Sequence, residues 1–106
     1  MAHSAYFLDT SVAGLILDGE LWTRSPEKLP RYYPELSWAC SSIEEMGVHP
    51  TVNRIRLAYE WSQEFKQSGG RLMITPSVKL ELLSAPQVSS YSIQVIIVEC
   101  TENLQA

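Results

Sequence analysis

The sequence predicts an α/β domain built on a small parallel sheet. Short apolar runs at 5–8, 72–74 and 92–98 read as strands, longer helical stretches separate them, and proline or glycine marks most junctions. Strands alternating with helices imply parallel pairing through right-handed crossovers. The chain has 106 residues, enough for one domain and too few for two with separate cores. With 45% hydrophobic and 19% charged residues, it carries enough apolar surface to offset the entropy of ordering.

Ala5 to Leu8 suits a buried first strand, and Asp9, Thr10 or Ser11 can each cap the helix that follows. That helix, about Ser11 to Leu21, carries Val12, Leu15, Ile16, Leu17 and Leu21, interrupted only by Asp18 and Glu20, so it packs on two faces. Gly14 and Gly19 weaken it but permit a close neighbour. Pro26, Pro30 and Pro34 recur at four-residue intervals, which no ordinary helix tolerates. Tyr32 and Tyr33 tack this segment onto the domain.

Pro34 opens a second helix, Glu35 to Met46, with Gly47 as its stop. Pro50 opens a third, to about Ser68, with Val52, Ile55, Ala58, Tyr59 and Phe65 on one face. Leu72 to Ile74 is the second strand. Thr75-Pro76-Ser77 starts a fourth helix, to about Ser84. Ser92 to Val98 is rich in β-branched residues and reads as the third strand. The expected order is β-α-α-α-β-α-β.

The net charge is −4, from eight Lys and Arg against twelve Asp and Glu. The basic residues are scattered, which argues against a dedicated DNA- or RNA-binding module, since phosphate neutralisation supplies most non-specific affinity. A metal held by carboxylates would still reverse the sign locally. Cys40 and Cys100 show neither metal-ligand spacing nor a disulfide framework, so both read as buried free thiols in a reducing cytoplasm. The start of the chain lacks the form of a signal peptide, and no apolar run approaches the ~20 residues of a membrane span. His3 and His49 are isolated. Trp22, Trp38, Trp61 and Tyr59 lie at helical spacings and read as packing residues.

Asp9 directly follows the first strand, and Glu81 lies on the helix after the second. Residues leaving the carboxyl ends of parallel strands converge on one crevice. Two carboxylates meeting there would suit a hard divalent cation. Each also has a plain reading: Asp9 as a helix cap, Glu81 as a solvated helix residue.

Asp9-Thr10-Ser11-Val12 after an apolar run, with Thr75 leading through Pro76 and Ser77 to Glu81-Leu82, resembles the PIN domain family. These are metal-dependent ribonucleases that include the toxins of many bacterial toxin–antitoxin pairs. The resemblance implies a flavodoxin-like three-layer α/β/α sandwich, with Asp9 and Glu81 as catalytic and metal-holding residues for Mg²⁺ or Mn²⁺. Thr10 and Ser11 would support them by hydrogen-bonding Asp9 or a metal-bound water. RNA, a cognate antitoxin and a second copy of the chain are the partners it implies. The chain departs from the pattern in two ways. The stretch between Asp9 and Glu81 is long for a compact member. The 25 residues after Glu81 contain no Asp, only Glu99 and Glu102, where the family supplies further acids. The expectation is an incomplete PIN-like domain over residues 1–106, binding metal weakly and cleaving RNA poorly or not at all. The competing expectation is a non-catalytic interaction protein on the same scaffold.

Overall fold

The computed structural model of the chain describes residues 4–97 and 99–100, with residues 90, 95, 99 and 100 described by backbone alone. Three strands, β1 (Ala5–Phe7), β2 (Arg71–Ile74) and β3 (Glu99–Cys100), form one parallel sheet in the order β1-β2-β3. Tyr6 pairs with Leu72 and Phe7 with Met73. The helices are α1 (Thr10–Arg24), α2 (Pro34–Ala39), α3 (Ile43–Gly47), α4 (Pro50–Gln67), α5 (Pro76–Leu83) and α6 (Ser90–Ile96), with a 3-10 helix at Pro26–Arg31. None among the described residues is long and apolar enough to cross a membrane.

The α/β class holds, but the expected order β-α-α-α-β-α-β does not. Residues 92–96, expected in a strand, are helical. Ser89 caps α6 by accepting from the Ser92 amide (3.1 Å), and Ser92 returns the bond by accepting from the Ser89 amide (3.0 Å). This reciprocal pair fixes the first turn, and Ile93, Ile96 and Ile97 then fall at helical spacing and are buried. Tertiary burial outweighs β-branched propensity here. The third strand comes later, at Glu99–Cys100; Glu102 and His3 lie outside the described residues.

The expected helix from Glu35 to Met46 is two helices. Cys40 is extended (φ −128°, ψ 140°), and Ser42 starts α3 by accepting from the Glu45 amide (3.2 Å). Cys40 is a free thiol, half-buried rather than fully buried. The proline-spaced segment forms the 3-10 helix, whose Leu29 is buried.

Two apolar cores sit in series. One gathers Leu8, Ala13, Ile16 and Leu17 around Leu72 and Ile74, with Leu82, Ile93, Ile96 and Ile97 from the later helices. The other joins Leu21, Leu29, Leu36 and Met46 to Val52 and Ile55, with Tyr32 and Tyr33 packed against it. Helices α1 and α4 contribute to both. They meet at Gly19, where an added Cβ would lie 2.5 Å from Tyr59 Cβ and 2.6 Å from the Ile55 carbonyl oxygen. The closeness expected of Gly19 is present; Gly14 has nothing within 4 Å of its missing Cβ.

The helices gather on the Leu72/Ile74 face of the sheet. Ala5, Phe7 and Arg71, which point the other way, are exposed, with Phe7 46% accessible. A sheet that grows in one direction through right-handed crossovers places its helices on one face. The described residues therefore form two layers, not the expected three. Strand β1 is exposed along its length rather than buried. On the helix face Tyr6 meets Trp61 edge-on, with ring centroids 5.2 Å apart, and Trp61 stacks on Phe65 at 5.5 Å.

Candidate functional site

The carboxyl ends of β1 and β2 lie side by side, because Leu8 donates its amide to the Met73 carbonyl (2.9 Å) and extends the ladder beyond β1. Each strand then turns directly into a helix. Asp9 caps α1: its Oδ1 accepts from the Val12 amide at 2.9 Å, and more distantly from the Ser11 hydroxyl at 3.3 Å. Thr75 caps α5 in the same way, accepting from the Val78 amide at 3.2 Å. The two strand-to-helix turns are built alike, and Pro76 fits the first turn of α5, where no amide donor is needed.

One bond ties the start of α1 to α5. The Thr10 hydroxyl donates to Glu81 Oε1, across 71 residues of sequence. Thr10 opens α1 and Glu81 is the sixth of the eight residues of α5, so the contact depends on the parallel alignment of β1 and β2. The Ser11 hydroxyl bonds Asp9. Thr10 supports Glu81 instead, a pairing that spacing alone does not reveal.

The corner is exposed: Asp9, Ser11 and Glu81 all face solvent. Among the described residues no three His, Cys, Asp or Glu side chains gather closely enough to hold a metal. The donors present are oxygen atoms of two carboxylates and two hydroxyls. That set fits a hard cation retaining most of its waters, and it does not fit one held tightly. Two surface cavities, of about 380 and 160 Å³, include neither Asp9 nor Glu81.

Topology accounts for the openness. Ligand crevices in parallel α/β sheets form where the strand order reverses, because adjacent connections then leave to opposite sides. The described sheet runs β1-β2-β3 without reversal, and Asp9 follows its outermost strand. The wall that a further strand beside β1 would supply is absent among the described residues.

A different buried carboxylate went unread in the sequence. Asp18 is only 4% exposed. Its Oδ2 accepts from the Tyr33 hydroxyl and its Oδ1 from Gln87 Nε2 at 3.2 Å. Burial raises its pKa, and the two bonds pull in the other direction. The Tyr33 hydroxyl is held far above its usual range, first by burial and then by Asp18. Asp18 thus joins α1 to the segment before α2 and to the segment between α5 and α6. Its position amid the apolar positions of α1 was the available signal.

Compared with known protein families, curated proteins and solved structures, the chain matches none.

Proposed function

We propose that this chain is a PIN-like domain whose Asp9 and Glu81 form a weak site for Mg²⁺ or Mn²⁺, acting on RNA phosphodiesters poorly or not at all by itself. The observation that supports this reading is the Thr10–Glu81 bond, which brings the two sequence motifs to one corner at the carboxyl ends of adjacent parallel strands. A bound cation would lower the pKa of a water and offset charge on phosphate oxygens. In this corner Asp9 and Glu81 supply negative charge, Ser11 orients Asp9 and Thr10 orients Glu81. Two carboxylates give less charge than a tight site needs, which accounts for the low activity proposed. The setting is a reducing cytoplasm, with Cys40 a free thiol.

The test separates capping from metal binding. Asparagine caps a helix about as well as aspartate, so Asp9→Asn keeps α1 intact and removes the charge, whereas Asp9→Ala also loses about 1 kcal/mol of cap energy. Millimolar Mn²⁺ is expected to raise the thermal midpoint of the chain slightly. Asp9→Asn and Glu81→Gln should abolish that rise without lowering the metal-free midpoint as Asp9→Ala does. A rise that persists in both variants would sink the metal site. Robust cleavage of single-stranded RNA by the chain with Mn²⁺, lost in Asp9→Asn, would refute the low activity.

A second reading is favoured by the exposed β1 strand and the uncovered Phe7 face. Uncapped edges and open apolar faces recruit other chains, so the scaffold would serve as a non-catalytic interaction module whose partner is another protein, such as an antitoxin, or a second copy. Inertness to metal together with stable self-association would favour it.

A further inference from the structure

Strand β1 has a free edge. The Ser4 carbonyl accepts from the Arg71 amide (2.8 Å), and the Leu8 amide donates to the Met73 carbonyl (2.9 Å). Residues 4 and 8 thus turn their peptide groups toward β2, and by the alternation of a strand so does Tyr6 between them. Ala5 and Phe7 turn theirs the other way, where no described strand lies. Their outward amides and carbonyls bond nothing among the described residues. Exposed edges are ordinarily blunted by a charge, a proline or a bulge. Residues 4–8 are uncharged and without proline, and their register on β2 is regular.

An aromatic cluster accompanies this edge. On the helix side Tyr6 is 48% exposed and meets Trp61 and Phe65 edge-on, at centroid distances of 5.2 and 6.2 Å. Trp61 is 37% exposed, and Leu57, one turn earlier on α4, is 56% exposed. Trp and Tyr are among the residues most enriched at the energetic centres of interfaces.

We propose that β1 pairs antiparallel with β1 of a second copy of this chain, about a two-fold axis at Tyr6, joining the two sheets into one. This rests on the interaction-module reading and names its partner and its contact. The outward peptide groups select a strand as occupant. Opposing Ala5 to the second copy's Phe7, and Phe7 to its Ala5, makes hydrogen-bonded pairs that each exchange both N–H···O bonds. Every outward group of β1 is then used. Tyr6 opposes Tyr6 on the axis as the closer, non-hydrogen-bonded pair, and each Phe7 ring lies across from an alanine, large against small. A parallel ladder does not suit identical copies. Its bonds run to the residues before and after the partner, an offset that no two-fold axis reproduces. The axis also keeps both helix layers on one side, so the Tyr6–Trp61 clusters of the two copies join.

Area sets the strength. Tyr6, Phe7, Leu57 and Trp61 leave roughly 400 Å² open per copy, at about 200 Å² for a whole residue of this size, against the ~800 Å² that each partner buries in a stable interface. The dimer is therefore weak and forms as concentration rises.

Sedimentation equilibrium of the full chain, from micromolar to millimolar and without divalent metal, should show the mass rising from 12.0 kDa toward twice that value. Ala5→Pro removes an outward amide that the monomer does not use, at the first residue of an edge strand where proline is tolerated. It should weaken the dimer about tenfold or more, the loss of a hydrogen bond in each symmetric half. Phe7→Lys keeps every backbone bond, adds an edge charge, and should weaken it similarly. Trp61→Ala should cost about fivefold, whereas Trp38→Ala, at an exposed residue of α2, should change nothing. Unchanged amide shifts at Ile16, Leu36 and Leu82 would show that each variant is folded. In a mixture of isotope-labelled and unlabelled copies, a contact between the two Tyr6 α-hydrogens is expected, since they face each other in this pair. A dimer insensitive to both edge variants, or growth into polymers instead of dimers, would overturn the proposal. A monomer at every concentration that binds an unrelated valine/threonine strand peptide at β1 would overturn the second copy and leave the interaction reading standing. A monomer that binds no strand would sink both. The Mn²⁺ result is separate, because it is read at Asp9 and Glu81, which the pairing does not include.

Discussion

Gly14 and Gly19 lie on the same helix and face opposite constraints. At Gly19 an added methyl would collide with Tyr59 Cβ and the Ile55 carbonyl, and a backbone atom cannot swing aside as a side-chain tip can. Gly19→Ala should therefore cost about 1–3 kcal/mol through overpacking. At Gly14 the space is open, and Gly14→Ala should gain about 0.5–1 kcal/mol from helix propensity. Urea melts of both variants check the pair, and stabilisation by Gly19→Ala would contradict the α1–α4 contact. Asp18 has a pH signature of its own. Burial lifts its folded pKa above the ordinary carboxylate range, against the pull of its two hydrogen bonds, so between the ordinary and the folded pKa the native chain holds more protons than the unfolded one. Stability from this group is fully present below the ordinary pKa and lost as pH rises through the folded value. Relative to Asp18→Asn, the wild-type chain should gain stability as pH falls from about 7 toward about 4. A flat difference across that range would mean that the carboxyl is not desolvated.

At the scale of elements, strands and helices were legible in the sequence wherever local signals agreed. Helix α4 combines a Pro50 start, a single apolar face and Gly69 at φ 94° just past its end, and its limits fall where the residues place them. Sequence and structure part where local signals compete. The isoleucines of α6 invite a strand by propensity, yet Ile93, Ile96 and Ile97 already carry helical spacing, and the Ser89–Ser92 cap decides between the two. The break between α2 and α3 was also readable: Ser42 followed three residues later by Glu45 is the form of a helix start. It was masked by an apolar stripe that stays continuous on paper. Of the candidate corner, the caps at Asp9 and Thr75 follow from local chemistry. The Thr10–Glu81 bond does not, because it depends on strand register. Asp18 was hidden for a related reason. A lone carboxylate among apolar residues looks like a solvent-facing interruption until Tyr33 and Gln87, far apart in sequence, are brought to it.

For the molecule as a whole, the sheet is the smaller part of the structure and the α1–α4 pair is its spine. One core holds the sheet and the later helices, the other holds the 3-10 helix, α2 and α3, and both draw side chains from the same two helices. Gly19 lies where these helices touch, close to the boundary between the cores. Small domains usually unfold in one step, and two cores could in principle melt separately. Here both draw on α1 and α4, so neither keeps a full set of neighbours once that pair separates. Trp22 packs against the second core, so in a chain carrying Trp38→Phe and Trp61→Phe tryptophan emission reports that core, whereas far-UV circular dichroism reports the whole helical content. Tryptophan emission and circular dichroism should therefore give the same urea midpoint, and separated midpoints would show that the cores are independent. With that pair shared, damage at either end of α1 is expected to register as a loss of population of the entire fold.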